Sequence, residues 1–106
     1  MRGVDIDRIH RMRRAARTDG NQKRIVDGLR AFGASVSVIS NSGQGIPDLC
    51  VGYGGQTFLF ELKDPTKPKA DRQLTPDQVK WHKAWKGHVA VVETLEDALE
   101  ELMGVS

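Results

Sequence analysis

The sequence predicts a single mixed α/β domain with one sheet, its elements in the order α-β-β-β-α-β-α. Three observations predict it. Two mainly apolar runs, "DLCVGY" and "QTFLFELK", flank the pair Gly54-Gly55, which marks a β-hairpin. Runs with helical spacing and short β-branched runs alternate on either side of that hairpin. The length of 106 residues, with 28% charged and 39% hydrophobic residues, suits one soluble core and is too small for two.

Residues 1–17 form a basic arm or short helix, with Ile6, Ile9 and Met12 as its only apolar face, set apart from a domain over 18–106. Asp19-Gly20-Asn21 is a break and a helix start. Ile25, Val26, Leu29 and Phe32 then recur at helical spacing until Gly33 stops the helix. "ASVSVIS", 34–40, alternates as a half-buried strand, with Val36 and Val38 facing one way. "NSGQGIP", 41–47, is a loop. Its Gly43-Gln44-Gly45 is either a plain connector or a site where backbone amides approach a phosphate. The hairpin strands are 48–53 and 56–63, and a lysine-rich loop with two prolines follows over 64–74. Thr75-Pro76-Asp77-Gln78 opens a second helix as a capping box with proline at its first position. That helix runs through Trp81 and Trp85 to Gly87. "HVAVVE", 88–93, is a strand. Thr94 caps a last helix whose apolar face is Leu95, Ala98, Leu99 and Leu102.

The net charge of +2 is unevenly spread. Residues 1–17 carry +4 and the remainder −2, yet Lys63 to Lys86 holds seven basic residues against three acidic. Two basic segments on an acidic body suit a polyanion partner; a solvated tail and a solvated helix face are the plainer reading. No run approaches the ~18 apolar residues of a membrane span. The arginines at the N-terminus are followed by no apolar stretch of the secretory kind. The single cysteine, Cys50, points to a reducing cytoplasm and reads as a small buried residue rather than a nucleophile.

Hairpin register carries the chemical argument. A two-residue turn at Gly54-Gly55 opposes Tyr53 to Gln56, Val51 to Phe58, Leu49 to Phe60 and, at the open end, Asp48 to Glu61. Strand parity puts Phe58, Phe60 and Leu62 on one face. Leu59, Glu61 and Lys63 share the other with Cys50 and Asp48. Two carboxylates this close share a proton or share a cation. Hard oxygen ligands suit Mg²⁺ or Mn²⁺, and a neighbouring lysine can orient a water, which together describes metal-assisted phosphodiester hydrolysis. A salt-bridged hairpin end, with Lys63 neutralising Glu61 and Asp48 as a turn residue, fits the same residues.

Pro47-Asp48, twelve intervening residues and Glu61-Leu62-Lys63 resemble the PD-(D/E)xK nuclease signature. Together with "NQKRIVDGLRAFGASV", "GIPDLCVGYGG", "FLFELKD" and "LTPDQVKWHKAWKGHVAVVET", the chain from about residue 21 to 94 is similar to the VRR-NUC family, in particular its small stand-alone bacteriophage members. The resemblance implies a restriction-endonuclease-like fold, a mixed sheet with the hairpin at its centre and the first two helices on its faces. It implies a divalent-metal-dependent endodeoxyribonuclease, with branched DNA such as Holliday junctions or flaps among its substrates, and a homodimer. No small-molecule cofactor is implied, and a phage-encoded member would work in the host cytoplasm.

By the same resemblance, Asp48, Glu61 and the Leu62 backbone carbonyl bind the metal. Lys63 positions or activates the attacking water, and Gln78 supports that lysine or contacts the phosphate. Gln22 stands where family members usually carry a glutamate, so it is a further candidate ligand that brings no charge. That departure leaves a non-catalytic DNA- or partner-binding module on the same fold as the alternative. Lys67, Lys69, Arg72, Arg13 and Arg14 are the candidate DNA contacts. Trp81 and Trp85, at i and i+4, read as one residue packed on the sheet and one at a dimer contact or a base-stacking platform. His10, His82 and His88 have no metal-binding spacing and read as surface residues.

Overall fold

A computed structural model of the chain describes residues 20–104. The predicted arm over 1–17, with Arg13, Arg14 and His10, lies outside the described residues. Helix α1 is Gly20–Phe32 and ends where Ala34 N–H reaches back to the Leu29 carbonyl at 3.0 Å, beside Gly33. Strand β1 is Ser35–Val38, β2 is Leu49–Tyr53, β3 is Gln56–Leu62 and β4 is Ala90–Val92. Helix α2 is Pro76–Ala84 and α3 is Leu95–Met103, and short 3-10 turns cover Ser40–Ser42 and Lys69–Arg72. The element order is the one the sequence predicts.

The four strands lie in the order β1-β2-β3-β4, so the hairpin is central. The β1–β2 and β2–β3 pairs are antiparallel and β3–β4 is parallel, which makes the sheet mixed. Gly54 and Gly55 have φ of 58° and 78°, a turn conformation open to glycine at both central positions, and it sets the predicted register from Tyr53–Gln56 to Leu49–Phe60.

One face of the sheet holds the core. Val36, Leu49, Val51, Phe58, Phe60, Leu62 and Val92 all point to it and are buried against Ile25, Val26 and Leu29 of α1 and Ala98 and Leu102 of α3. Complete burial of a residue such as Phe60 contributes about 2–3 kcal/mol relative to exposure. Gly28 lets the two helices meet closely, since a Cβ there would strike the Leu95 side chain.

The structure corrects one expectation here. Val38 shares the Val36 face yet is 47% exposed, because it sits at the end of an edge strand that the helices do not cover. α1 and α3 lie on one sheet face, while α2 has no buried residue and meets the opposite side through the Gln78 contact to Glu61. That opposite face carries Ser37, Cys50, Leu59, Glu61 and Val91. Cys50 and Leu59 are half-buried there and Val91 is 44% exposed.

Candidate functional site

The end of β3 brings Glu61, Leu62 and Lys63 to the edge of the open face, and three neighbours close around them. The first is Asp48, which precedes β2. Register alone would place it opposite Glu61, but the ladder stops one pair earlier. Asp48 N–H donates to the Phe60 carbonyl at 3.0 Å, and its Oδ2 accepts the Leu62 N–H at 2.8 Å. Asp48 thus holds the backbone on both sides of Glu61. Asp48 lies close enough for its charge to act on the Glu61 carboxyl.

The second neighbour is the start of α2. Thr75 and Gln78 form the predicted capping box, with Gln78 N–H to Thr75 Oγ1 at 3.2 Å and Thr75 N–H to Gln78 Oε1 at 2.9 Å. The same Gln78 Oε1 accepts from Lys63 Nζ at 2.9 Å, and its Nε2 donates to Glu61 Oε2 at 3.0 Å. The capping and bridging readings of Gln78 are therefore both true, because the amide has two ends and the oxygen has two lone pairs. The loop before Asp48 steadies this helix start. Gly45, at φ 80°, lies so close that a Cβ would overlap the Asp77 carbonyl oxygen.

The third neighbour is the start of α1. Asn21 donates from Nδ2 to the Glu93 carbonyl at 2.8 Å and the Lys63 carbonyl at 3.2 Å, clamping the diverging ends of β3 and β4. Lys63 N–H meets the Val92 carbonyl at 3.0 Å, so its backbone is fixed on two sides.

The electrostatics follow from burial. Glu61 is 2% exposed and is the one buried charged residue among those described. Its Oε1 meets no hydrogen-bond donor. Burial is the largest cause that pushes its carboxyl up to about 8, followed by the charge of the neighbouring Asp48; Lys63 opposes the rise. An orphaned carboxylate oxygen beside a second carboxylate calls for a proton or a cation, so these residues fit a hard divalent ion. Among the described residues, no group of three or more acidic, histidine or cysteine side chains converges at one point.

No family model matches the sequence, and no curated protein does. A solved structure described as "VRR_NUC domain" does match, with 26% identity and a TM-score of 0.55, over 78% of this chain and 89% of that one. The chain has a VRR-NUC fold. That fold implies a nuclease of the PD-(D/E)xK type, a family that is typically metal-dependent. No helix among the described residues is long and apolar enough to cross a membrane.

Within this VRR-NUC fold, the structure brings Asp48, Glu61, Lys63 and Gln78 together and leaves other sequence candidates outside the cluster. Gln22 is half-buried on α1, and the bonds that gather Glu61, Lys63 and Gln78 do not include it. Lys67 and Lys69 are exposed on the loop after β3. Arg72 is turned inward, with Nη1 3.3 Å from Glu93 Oε1. Among the histidines, His88 is exposed, but His82 is not the surface residue expected. It is half-buried, its Nε2 is enclosed without a partner, and burial followed by the charge of Lys63 lowers its pKa. Asn21 and His82 were missed by motif reading. The signal for His82 was its position one helical turn after Gln78; Asn21 gave none, since its role is a contact across the chain.

Proposed function

We infer that the chain is a divalent-metal-dependent endodeoxyribonuclease that hydrolyses DNA phosphodiester bonds, with branched DNA such as junctions or flaps among its substrates. The observation that carries the reading is the buried Glu61, whose unpartnered Oε1 stands beside Asp48 and one turn of bonding from Lys63 through Gln78. Asp48, Glu61 and the Leu62 carbonyl would hold Mg²⁺ or Mn²⁺. The bound ion would supply Lewis-acid polarisation of the scissile phosphate and neutralise its developing charge.

The chain's own residues do the rest. Gln78 fixes the Lys63 amine by accepting its hydrogen bond, which aims the remaining N–H groups at the attacking water. Gln78 also holds one Glu61 oxygen by its amide N–H, which leaves the other oxygen as the one that would bind the ion. Lys67 and Lys69, with Arg13 and Arg14 of the N-terminal segment, contact phosphates beyond the cut and fix register rather than sequence. Arg72, held by Glu93, contributes less. A homodimer in the cytoplasm, the host's if the chain is phage-encoded, completes the reading.

A second reading is favoured by Gln22, which brings no charge where a third acidic ligand is usual, and by the two-carboxylate site. It is a binding module of the same fold without catalysis. Incubation with supercoiled plasmid and with a four-way junction, with and without Mn²⁺, separates the two. Nicking that is lost in chelator, in Lys63→Ala and in Asp48→Asn supports the nuclease. Salt-sensitive binding with no nicking supports the module.

A further inference from the structure

Trp81 and Trp85 stack on one another with ring centroids 4.7 Å apart and planes inclined by 18°. Neither is in the core; Trp81 is half-buried and Trp85 is 43% exposed. Gln78, Trp81 and His82 occupy one side of α2 at i, i+3 and i+4, and Trp85, at i+7, caps its end with its backbone N–H on the Trp81 carbonyl. That side is the one from which Gln78 reaches Glu61 and Lys63. The indoles therefore continue the wall of the candidate site along the helix.

The pair is held in place before any partner arrives. Trp85 Nε1 donates to the His88 carbonyl at 3.2 Å, and Gly87 lies against the same edge, where a Cβ would sit 2.9 Å from Nε1. One face of the Trp85 ring is on Trp81 and its N–H edge is on His88, and 43% of the residue is still open. A core contact would have closed that surface. Charge lies at both ends of the pair: the Lys63 amine is bonded to Gln78 at the head of the helix and Lys86 is exposed just past its tail, while Lys80 and Lys83 are exposed on the opposite side.

We propose that the Trp81–Trp85 stack is a landing platform for an unpaired DNA base next to the cut, so that the site takes DNA with unstacked nucleotides rather than continuous duplex. The proposal rests on the nuclease reading for the identity of the cut. The platform itself needs only a nucleic-acid partner. A stacked, half-exposed indole with a lysine beyond each end offers the two things a single strand uses: a π-face that every base fits, and charge for its phosphates. A paired base has its faces occupied by its neighbours and gains nothing from the ring.

The test is equilibrium binding in EDTA, where no cleavage is needed, of the full chain to a labelled 20-nucleotide single strand and to the blunt duplex of the same sequence. Trp emission is followed alongside anisotropy. Trp85→Leu keeps an apolar side chain and loses the π-face, while Trp85→Phe keeps a smaller π-face. The expected result is quenching by the single strand alone, a loss of about tenfold in its affinity in Trp85→Leu, near-retention in Trp85→Phe, and duplex affinity unchanged. Lys86→Ala should weaken both DNAs alike. Equal losses on both DNAs, or none, overturn the proposal. So does a fall from dimer to monomer by light scattering in Trp85→Leu with both affinities lowered, which would assign the stack to contact between copies. The plasmid assay reports separately on the nuclease reading, so failure of one does not pass for failure of the other.

Discussion

Gln78 donates its amide N–H to Glu61 across 3.0 Å, and the same side chain's oxygen closes the capping box of α2. Helix start and candidate site are thus joined through one residue, and substitutions can divide its two roles. Gln78→Ala should lose both, with stability down by about 0.5–1 kcal/mol and plasmid nicking down by at least tenfold. Gln78→Glu keeps acceptors for Thr75 and Lys63 but faces Glu61 with a carboxylate. Its melting temperature should stay near the parent's while nicking falls as far as in Gln78→Ala. Parallel thermal melts and nicking rates check this; a Gln78→Glu chain as active as the parent would remove the bridge to Glu61 from the mechanism.

The raised carboxyl of Glu61 makes a stability prediction with a definite sign. Its pKa is about 8 when folded and near 4.5 when free, so the native chain binds the proton more tightly. That contribution is complete below about pH 4.5 and is lost as the pH climbs to about 8. In chelator, the parent should therefore be less stable at pH 8.5 than Glu61→Gln by about 1–3 kcal/mol, with the gap closing toward pH 5. Urea unfolding at the two pH values reads it directly.

The same group ties metal affinity to protons. Binding Mn²⁺ must displace the Glu61 proton, so affinity should rise with pH through neutrality and flatten above about 8. Calorimetry in two buffers of different ionisation enthalpy should show close to one proton released per ion at pH 6.5. Asp48→Asn should abolish both the heat and the release.

Most of the fold was legible because its signals are local. The Gly54-Gly55 turn fixes the register of the central hairpin, and Thr75 with Pro76 fixes where α2 begins. What the sequence could not supply is tertiary. A capping box says where a helix starts but not which residues it meets, so the contacts of Gln78 with Glu61 and Lys63 come only from the structure. Alternation says that Val36 and Val38 share a face but not where the helices above that face end. Asp48 was rightly grouped with Glu61 by parity, yet its backbone bonds to Phe60 because strand pairing ends at Leu49. Asn21 is invisible as a motif, since its partners Lys63 and Glu93 lie far away in sequence.

Gly45 offers a test of how the helix is positioned. Alanine there is disfavoured twice, by φ of 80° and by overlap with the Asp77 carbonyl. Gly45→Ala should cost about 1–3 kcal/mol and displace the start of α2, lowering nicking beyond what lost stability explains. Activity well below the melting transition separates the two effects. Gly43→Ala, with open space around its Cβ, shares only the backbone penalty and should leave more activity.

Both long-contact helices lie on a single side of the sheet. The domain consequently has a foundation and a workbench, with β3 as the plank between them. Segment 74–88 could be exchanged for that of another sequence without disturbing the foundation, provided the glutamine at its head still reaches across. Retooling of this small scaffold for a different target would begin there.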